Sequence, residues 1–174
     1  AALLEHIRIE QAPERIVIAA HSQGSMYSLA LLFGDRYRDS ADRLEGASWP
    51  LAPRLVPDHP EAIREAAPGV EAPIALLTAG CPILQTYAPN FPGQYDWPSD
   101  RDAVIADLAR VGTRGATWRN VYRSGDYLGR ALWTRDVCGD DPPLGPLSEH
   151  CLGPGQHTGY WADPRFARQV LALL

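Results

Sequence analysis

Lysine is absent from this sequence, so all sixteen basic residues are arginine. Against 21 acidic residues they leave a net charge of −5 with no basic block. The chain therefore lacks the cationic face that a nucleic acid requires, and nucleic acid is not expected as a partner. Together with the richness in alanine and proline, the exclusive use of arginine reads as a GC-rich coding bias and not as a functional signal. Long apolar runs are missing too. None approaches the ~20 residues that span a bilayer, and the stretch IVIAA at 16–20 suits a buried strand instead. The first twelve residues, AALLEHIRIEQA, lack both the positive start and the long apolar core of a secretory signal. Cysteine is scarce: Cys81, Cys138 and Cys151, with no CxxC pair. Cys138 and Cys151 flank a Pro/Gly-rich segment and either close a short disulfide loop or stay as two thiols, while Cys81 reads as a small packed residue. No internal repeat or low-complexity tract is present, and no cofactor or metal is expected.

What the sequence does contain is an alternation of strands and helices. Residues 15–20 (RIVIAA), 73–78 (PIALLT) and 117–122 (TWRNVY) have the short apolar character of buried strands. Helical patterns lie between and around them: 24–37, with an apolar face through Met26, Leu29 and Phe33; 59–67; 99–111, capped by Ser99 or Asp100; and 163–174, opened by Asp163-Pro164. Residues 39–57, 85–98 and 138–158 read as Pro/Gly-rich loops, the first either a lid or an insertion. Strands separated by helices predict an α/β fold with a mostly parallel sheet flanked by helices. The 174 residues suit one domain. Three strands make a thin sheet for that length, and residues 1–12 read as a helix already under way. The expectation is that 1–174 is an incomplete segment of a longer chain whose N-terminal strands lie upstream.

The most informative stretch is IVIAAHSQGS, residues 16–25. A strand followed by a capped helix is one reading. The other is a strand that delivers a nucleophile. A serine hydroxyl is weak at neutral pH and needs a base, an acid to orient that base, and donors for the developing oxyanion. A tight turn between strand and helix lifts Oγ above the sheet and requires small residues two positions to either side. Ala20 and Gly24 flank Ser22 in this way, in an A-x-S-x-G pattern, and the helix behind brings its N–H groups and positive dipole end to the same place. The acid and base then follow in chain order. Asp126 stands just past the third strand, and His157 lies on the glycine-rich GPGQHTGY loop before the last helix. His150 competes for the base. His21, adjacent to the serine, points away from it and is expected to pack or to wall the pocket. The aromatics Tyr87, Phe91, Tyr95, Trp97, Tyr127 and Trp133 either line an acyl pocket or cover the core.

Four blocks, IVIAAHSQGS, LLTAGCPILQTY, WRNVYRSGDYLGRAL and HTGYWADPRF, resemble successive parts of α/β-hydrolases of the class 3 lipase type. There a serine elbow is followed by a strand ending in a T-x-G-x-P turn, an acid loop, and a histidine shortly before an aromatic pair. The blocks are also similar to hydrolase-like segments at the C-terminus of large bacterial membrane proteins. The resemblance spans most of residues 13–170, except 35–72. It implies the C-terminal part of an α/β-hydrolase fold, with Ser22 as nucleophile, Asp126 as orienting acid, His157 as base and the backbone N–H of Gln23 as one oxyanion donor. The second donor in that family comes from a loop after an earlier strand, which this chain does not contain. The implied activity is hydrolysis of a small-molecule or lipid ester. The alternative is a non-catalytic binding or assembly module of a larger protein, tethered by membrane spans upstream.

Overall fold

A computed structural model describes residues 7, 13–34, 36, 72–111, 115–133 and 145–174. Four strands form one sheet in the order β1-β2-β3-β4: β1 (Ile16–His21), β2 (Ile74–Ala79), β3 (Ala116–Tyr122) and β4 (Leu147–Cys151). Every neighbouring pair is parallel, with Ile16 beside Ile74, Ile74 beside Ala116 and Trp118 beside Leu147. The chain is therefore an α/β protein, as its alternating pattern predicts. Parallel neighbours need crossovers that return the chain to the same end, so all four C-terminal ends lie along one edge. β2, with the sequence IALLTA, is buried at every position, which is why it reads as an unbroken apolar run.

The two faces bury different sets of side chains. On one, α1 (Gln23–Leu32) brings Met26 and Leu29, and α3 (Arg101–Leu108) brings Val104 and Leu108, onto Leu76, Trp118 and Trp133. Arg36, four residues beyond α1, donates from Nε to Asp107 Oδ2 at 2.6 Å and ties the chain there to α3. On the other face α4 (Pro164–Leu171) lays Phe166 and Val170 over Ala75, Leu77 and Val121, followed by Leu173. These three α4-side residues recur at the three-to-four spacing of one helix face. Side-chain caps start α3 and α4: Asp100 accepts from Ala103 N at 3.1 Å, and Asp163 accepts from Arg165 N at 2.9 Å.

Several expectations are corrected. The stretch 138–158 is not all loop, because LSEHC at 147–151 forms β4. Residues 85–98 hold a π-helical turn (Ile83–Tyr87), the short helix α2 (Pro92–Tyr95) and the start of a 3₁₀ turn (Trp97–Ser99). α1 ends at Leu32, where Phe33 caps it, well short of 37, and α3 is bounded by Asp100 and Ala109. The segments expected as a helix at 59–67, as a lid or insertion at 39–57, and as an N-terminal helix (apart from Ile7) lie outside the described residues, as does Cys138. Cys151 is disulfide-bonded, and Cys81 is free and buried. Burial pushes the Cys81 thiol up to about 12, so it stays protonated and inert. Among the described residues no helix is long and apolar enough to cross a membrane.

β4 is held by polar contacts that its composition conceals. Thr78, Asn120 and Glu149 stand in register across β2, β3 and β4. Thr78 Oγ1 donates to Asn120 Oδ1 at 3.0 Å, and Asn120 Nδ2 donates to Glu149 Oε1 at 2.9 Å. The Glu149 carboxylate also accepts from Leu132 N at 2.6 Å and Trp133 N at 3.0 Å. A buried carboxylate supplied with donors on both oxygens is tolerated where an unpaired one is not. Here it fastens the segment after Asp126 to the sheet.

Candidate functional site

β1 ends at His21, and its ladder runs one step further, with Ser22 N donating to Ala79 O at 3.0 Å. The chain then turns at once into α1. Ser22 takes φ 53° and ψ −126°, and it is the one non-glycine residue with positive φ among the described residues. Such a conformation costs about 1–3 kcal/mol and persists where surrounding structure enforces it. Ala20 and Gly24 meet beneath the turn: a Cβ built on Gly24 would lie 3.9 Å from the Ala20 Cβ. The methyl of Ala20 is thus accommodated, and A-x-S-x-G makes the same turn that two glycines would.

Asp126 follows β3 and is fully buried. Its Oδ1 accepts from Leu128 N and Gly129 N, both at 3.0 Å, and its Oδ2 accepts from the Tyr160 hydroxyl at 2.8 Å. His157 follows β4. Its Nδ1 lies 3.0 Å from both Asp126 oxygens, and its Nε2 lies 2.6 Å from Ser22 Oγ. With an acid on Nδ1, the tautomer that satisfies the network donates from Nδ1 and accepts the serine proton at Nε2. The three residues named from their order in the sequence are therefore in one hydrogen-bonded chain. His150 is not part of it; it lies within β4, opposite Val121.

His21, expected to pack or to wall the pocket, packs and also makes a hydrogen bond. Its Nε2 donates to the His157 carbonyl at 2.8 Å, and its ring lies 5.0 Å from that of His157 and 5.2 Å from that of Tyr160. Residues on both sides of Ser22 thus grip the neighbouring elements. Gln23 Oε1 accepts a hydrogen bond from the Tyr87 hydroxyl, and the Gln23 N–H belongs to the first turn of α1, whose amides have no partner within the helix. Burial and then the neighbouring Asp126 carboxylate drive the Tyr160 phenol well above its ordinary range, so it remains a donor. Arg123 lies over the Tyr160 ring at 5.0 Å, donates to the carbonyls of Thr158 and Gly159, and pairs with Asp163 at 2.8 Å. Hydrogen bonding from Arg165, reinforced by Arg123, holds the Asp163 carboxyl well below the usual carboxylate range. The loop that carries His157 is thereby fastened to the cap of α4.

Gly80 and Tyr160 were not singled out from the sequence. Gly80 has φ +55°, and a Cβ there would stand 2.7 Å from Asp126 Oδ2, 3.1 Å from Tyr160 Cε2 and 3.2 Å from His157 Nδ1. The signal was present in TAGCP, but the need for glycine is visible only once the acid is known to sit against it.

The aromatics divide. Trp133 and Trp97 belong to the core, Trp133 edge-on to Trp118 with ring centroids 4.8 Å apart and Trp97 against Phe33 at 5.1 Å. That removes both from an acyl pocket. Tyr87, Tyr95 and Phe91 form a chain of edge-to-face contacts beside Gln23, with Tyr87 and Tyr95 also packed against that core, and Tyr127 is exposed. Among the described residues no group of three metal-ligating side chains comes together. No family model matches the sequence, and comparison with curated proteins and with solved structures finds no match.

Proposed function

We propose that this protein is a serine hydrolase that cleaves carboxylic esters through an acyl-enzyme, on the C-terminal part of an α/β-hydrolase fold. The observation that carries the reading is the chain Ser22 Oγ–His157 Nε2 at 2.6 Å and His157 Nδ1–Asp126 at 3.0 Å, with the serine on a strained strand-to-helix turn. His157 takes the Ser22 proton as Oγ attacks the carbonyl carbon, and the imidazolium is stabilised by Asp126. The tetrahedral intermediate expels the alcohol, which receives the proton from His157. Water, deprotonated by the same nitrogen, then attacks the acyl-enzyme, and the second tetrahedral intermediate collapses with cleavage of the bond to Oγ, which takes the proton back from His157 as the carboxylic acid leaves. The Gln23 N–H and the N-terminal end of α1 face the developing oxyanion. Tyr87, Phe91 and Tyr95 offer an apolar wall for the acyl group.

The direct test is labelling of the full protein with a fluorophosphonate. The expected result is one adduct per chain, mapped by mass spectrometry to the peptide containing Ser22. A folded protein that takes no adduct behaves as a non-catalytic module and sinks the reading.

Tyr160→Phe tests the support beneath the acid. Without this donor the Asp126 carboxylate is held less firmly beneath His157, so kcat on an activated ester is expected to fall by a few fold, and no more than about tenfold, with KM unchanged. A tyrosine that only fills space would leave kcat where it is.

A further inference from the structure

A cavity of about 610 Å³ opens at the end of the sheet opposite the triad. Its walls include Pro73 and Ile74 at the start of β2, Ala116 and Thr117 at the start of β3, and Pro146 just before β4. The six residues of β2 separate it from the Ser22 edge, which at ~3.3 Å per residue is about 20 Å. It is a different site from the triad.

Two arginines line it, Arg15 and Arg119, and no aspartate or glutamate does among the described lining residues. Arg119 is half-buried, yet its partners are all neutral: Nε donates to Ser148 Oγ at 3.2 Å, and Nη1 donates to the Gln169 carbonyl at 3.3 Å and to Gln169 Oε1 at 3.0 Å. Arg15 donates from Nη1 to the Leu173 carbonyl at 2.8 Å. Arg36, Arg123 and Arg165, by contrast, each meet a carboxylate. A partly desolvated guanidinium without a counter-charge is costly, and burial pulls the Arg119 pKa down. An anion entering the cavity would remove that cost. The rest of the lining is mainly apolar, with Ile74, Ile105 and Leu173 its largest hydrocarbon side chains.

We propose that this cavity binds an anionic amphiphile, a carboxylate carrying a short apolar tail, with its head on the Arg119 guanidinium, further charge from Arg15, and its tail against Ile74, Ile105 and Leu173. A guanidinium presents paired N–H donors that match a carboxylate, and the volume suits a ligand of small-molecule size.

The probe is octanoate, titrated into the full protein by calorimetry, with octanol and inorganic phosphate as comparisons. Saturable octanoate binding is expected, at least tenfold tighter than octanol, which lacks the charge, and than phosphate, which lacks the tail. Arg119→Gln is expected to weaken octanoate binding by about tenfold or more while leaving fluorophosphonate labelling of Ser22 intact. Arg15→Gln, at an exposed position, gives a second reading if the Arg119 variant does not fold. Octanoate binding unchanged by these substitutions, or matched by octanol or phosphate, overturns the proposal, as does the absence of saturable binding.

Discussion

Ser22→Ala is expected to lower kcat on an activated ester by about 10⁶-fold, and Asp126→Asn by about 10⁴-fold. On the proposed mechanism the two losses differ because the residues act at different removes from the carbonyl carbon. Without Oγ no acyl-enzyme forms, and only the Gln23 N–H and bound orientation remain. With asparagine at 126 the nucleophile and base survive. The amide now competes to donate to His157 Nδ1, however, which turns the imidazole toward the tautomer that cannot accept the serine proton. A kinetic comparison of the two variants reads that order directly, and equal, small losses would remove both residues from the chemistry. The same position stores strain that stability measurements can read. Ser22 holds φ 53°, which glycine adopts freely and alanine does not. Ser22→Gly and Ser22→Ala both lose the hydroxyl and its hydrogen bond to His157. Chemical denaturation is nevertheless expected to find the glycine variant more stable by about 1–2 kcal/mol. A glycine variant no more stable than the alanine one would show that the elbow is relaxed.

The parts of this molecule that were legible in its sequence are those decided by local pattern. β1, β2 and β3 are rich in apolar, β-branched or aromatic side chains over six or seven residues, and their neighbours mark their ends. Asp163-Pro164 announces α4 because both the cap and the ring act within one turn. Ser22, Asp126 and His157 were readable for another reason: a parallel sheet delivers successive loops to one edge, so chain order stands in for proximity. β4 escaped because LSEHC carries a glutamate in its middle. Glu149 is acceptable there through donors such as Asn120, Leu132 and Trp133, which the fold brings to it. The supports of the site escaped for the same reason. The bonds from Tyr160 to Asp126 and from His21 to the His157 carbonyl join residues 34 and 136 positions apart. Neither residue type announces such a partner by its neighbours.

Gly80→Ala and Gly129→Ala are expected to fail in different ways, and the difference locates the tightest packing behind the acid. At Gly80 the added methyl would stand 2.7 Å from Asp126 Oδ2 and 3.2 Å from His157 Nδ1. Those are side-chain atoms, which can yield by rotating. The backbone there has φ +55°, so alanine also brings strain of about 1–3 kcal/mol. The variant should fold with a lower Tm, while the displaced imidazole loses its alignment with Ser22 Oγ. A displacement near 1 Å costs about 10²-fold in rate, so fluorophosphonate labelling should slow by at least that factor. At Gly129 the methyl would overlap the backbone carbon and oxygen of Gly80 and come within 2.6 Å of Cys81 N. Backbone held between β2 and the Asp126 turn cannot rotate aside, and the Gly129 N–H is itself a donor to Asp126. Gly129→Ala is therefore expected to unfold the region outright, read as loss of a cooperative thermal transition. If Gly129→Ala instead melts like the parent and labels at the parent rate, the acid loop does not press on Gly80 as described, and the positioning of His157 must come from the Arg123 and Tyr160 side alone.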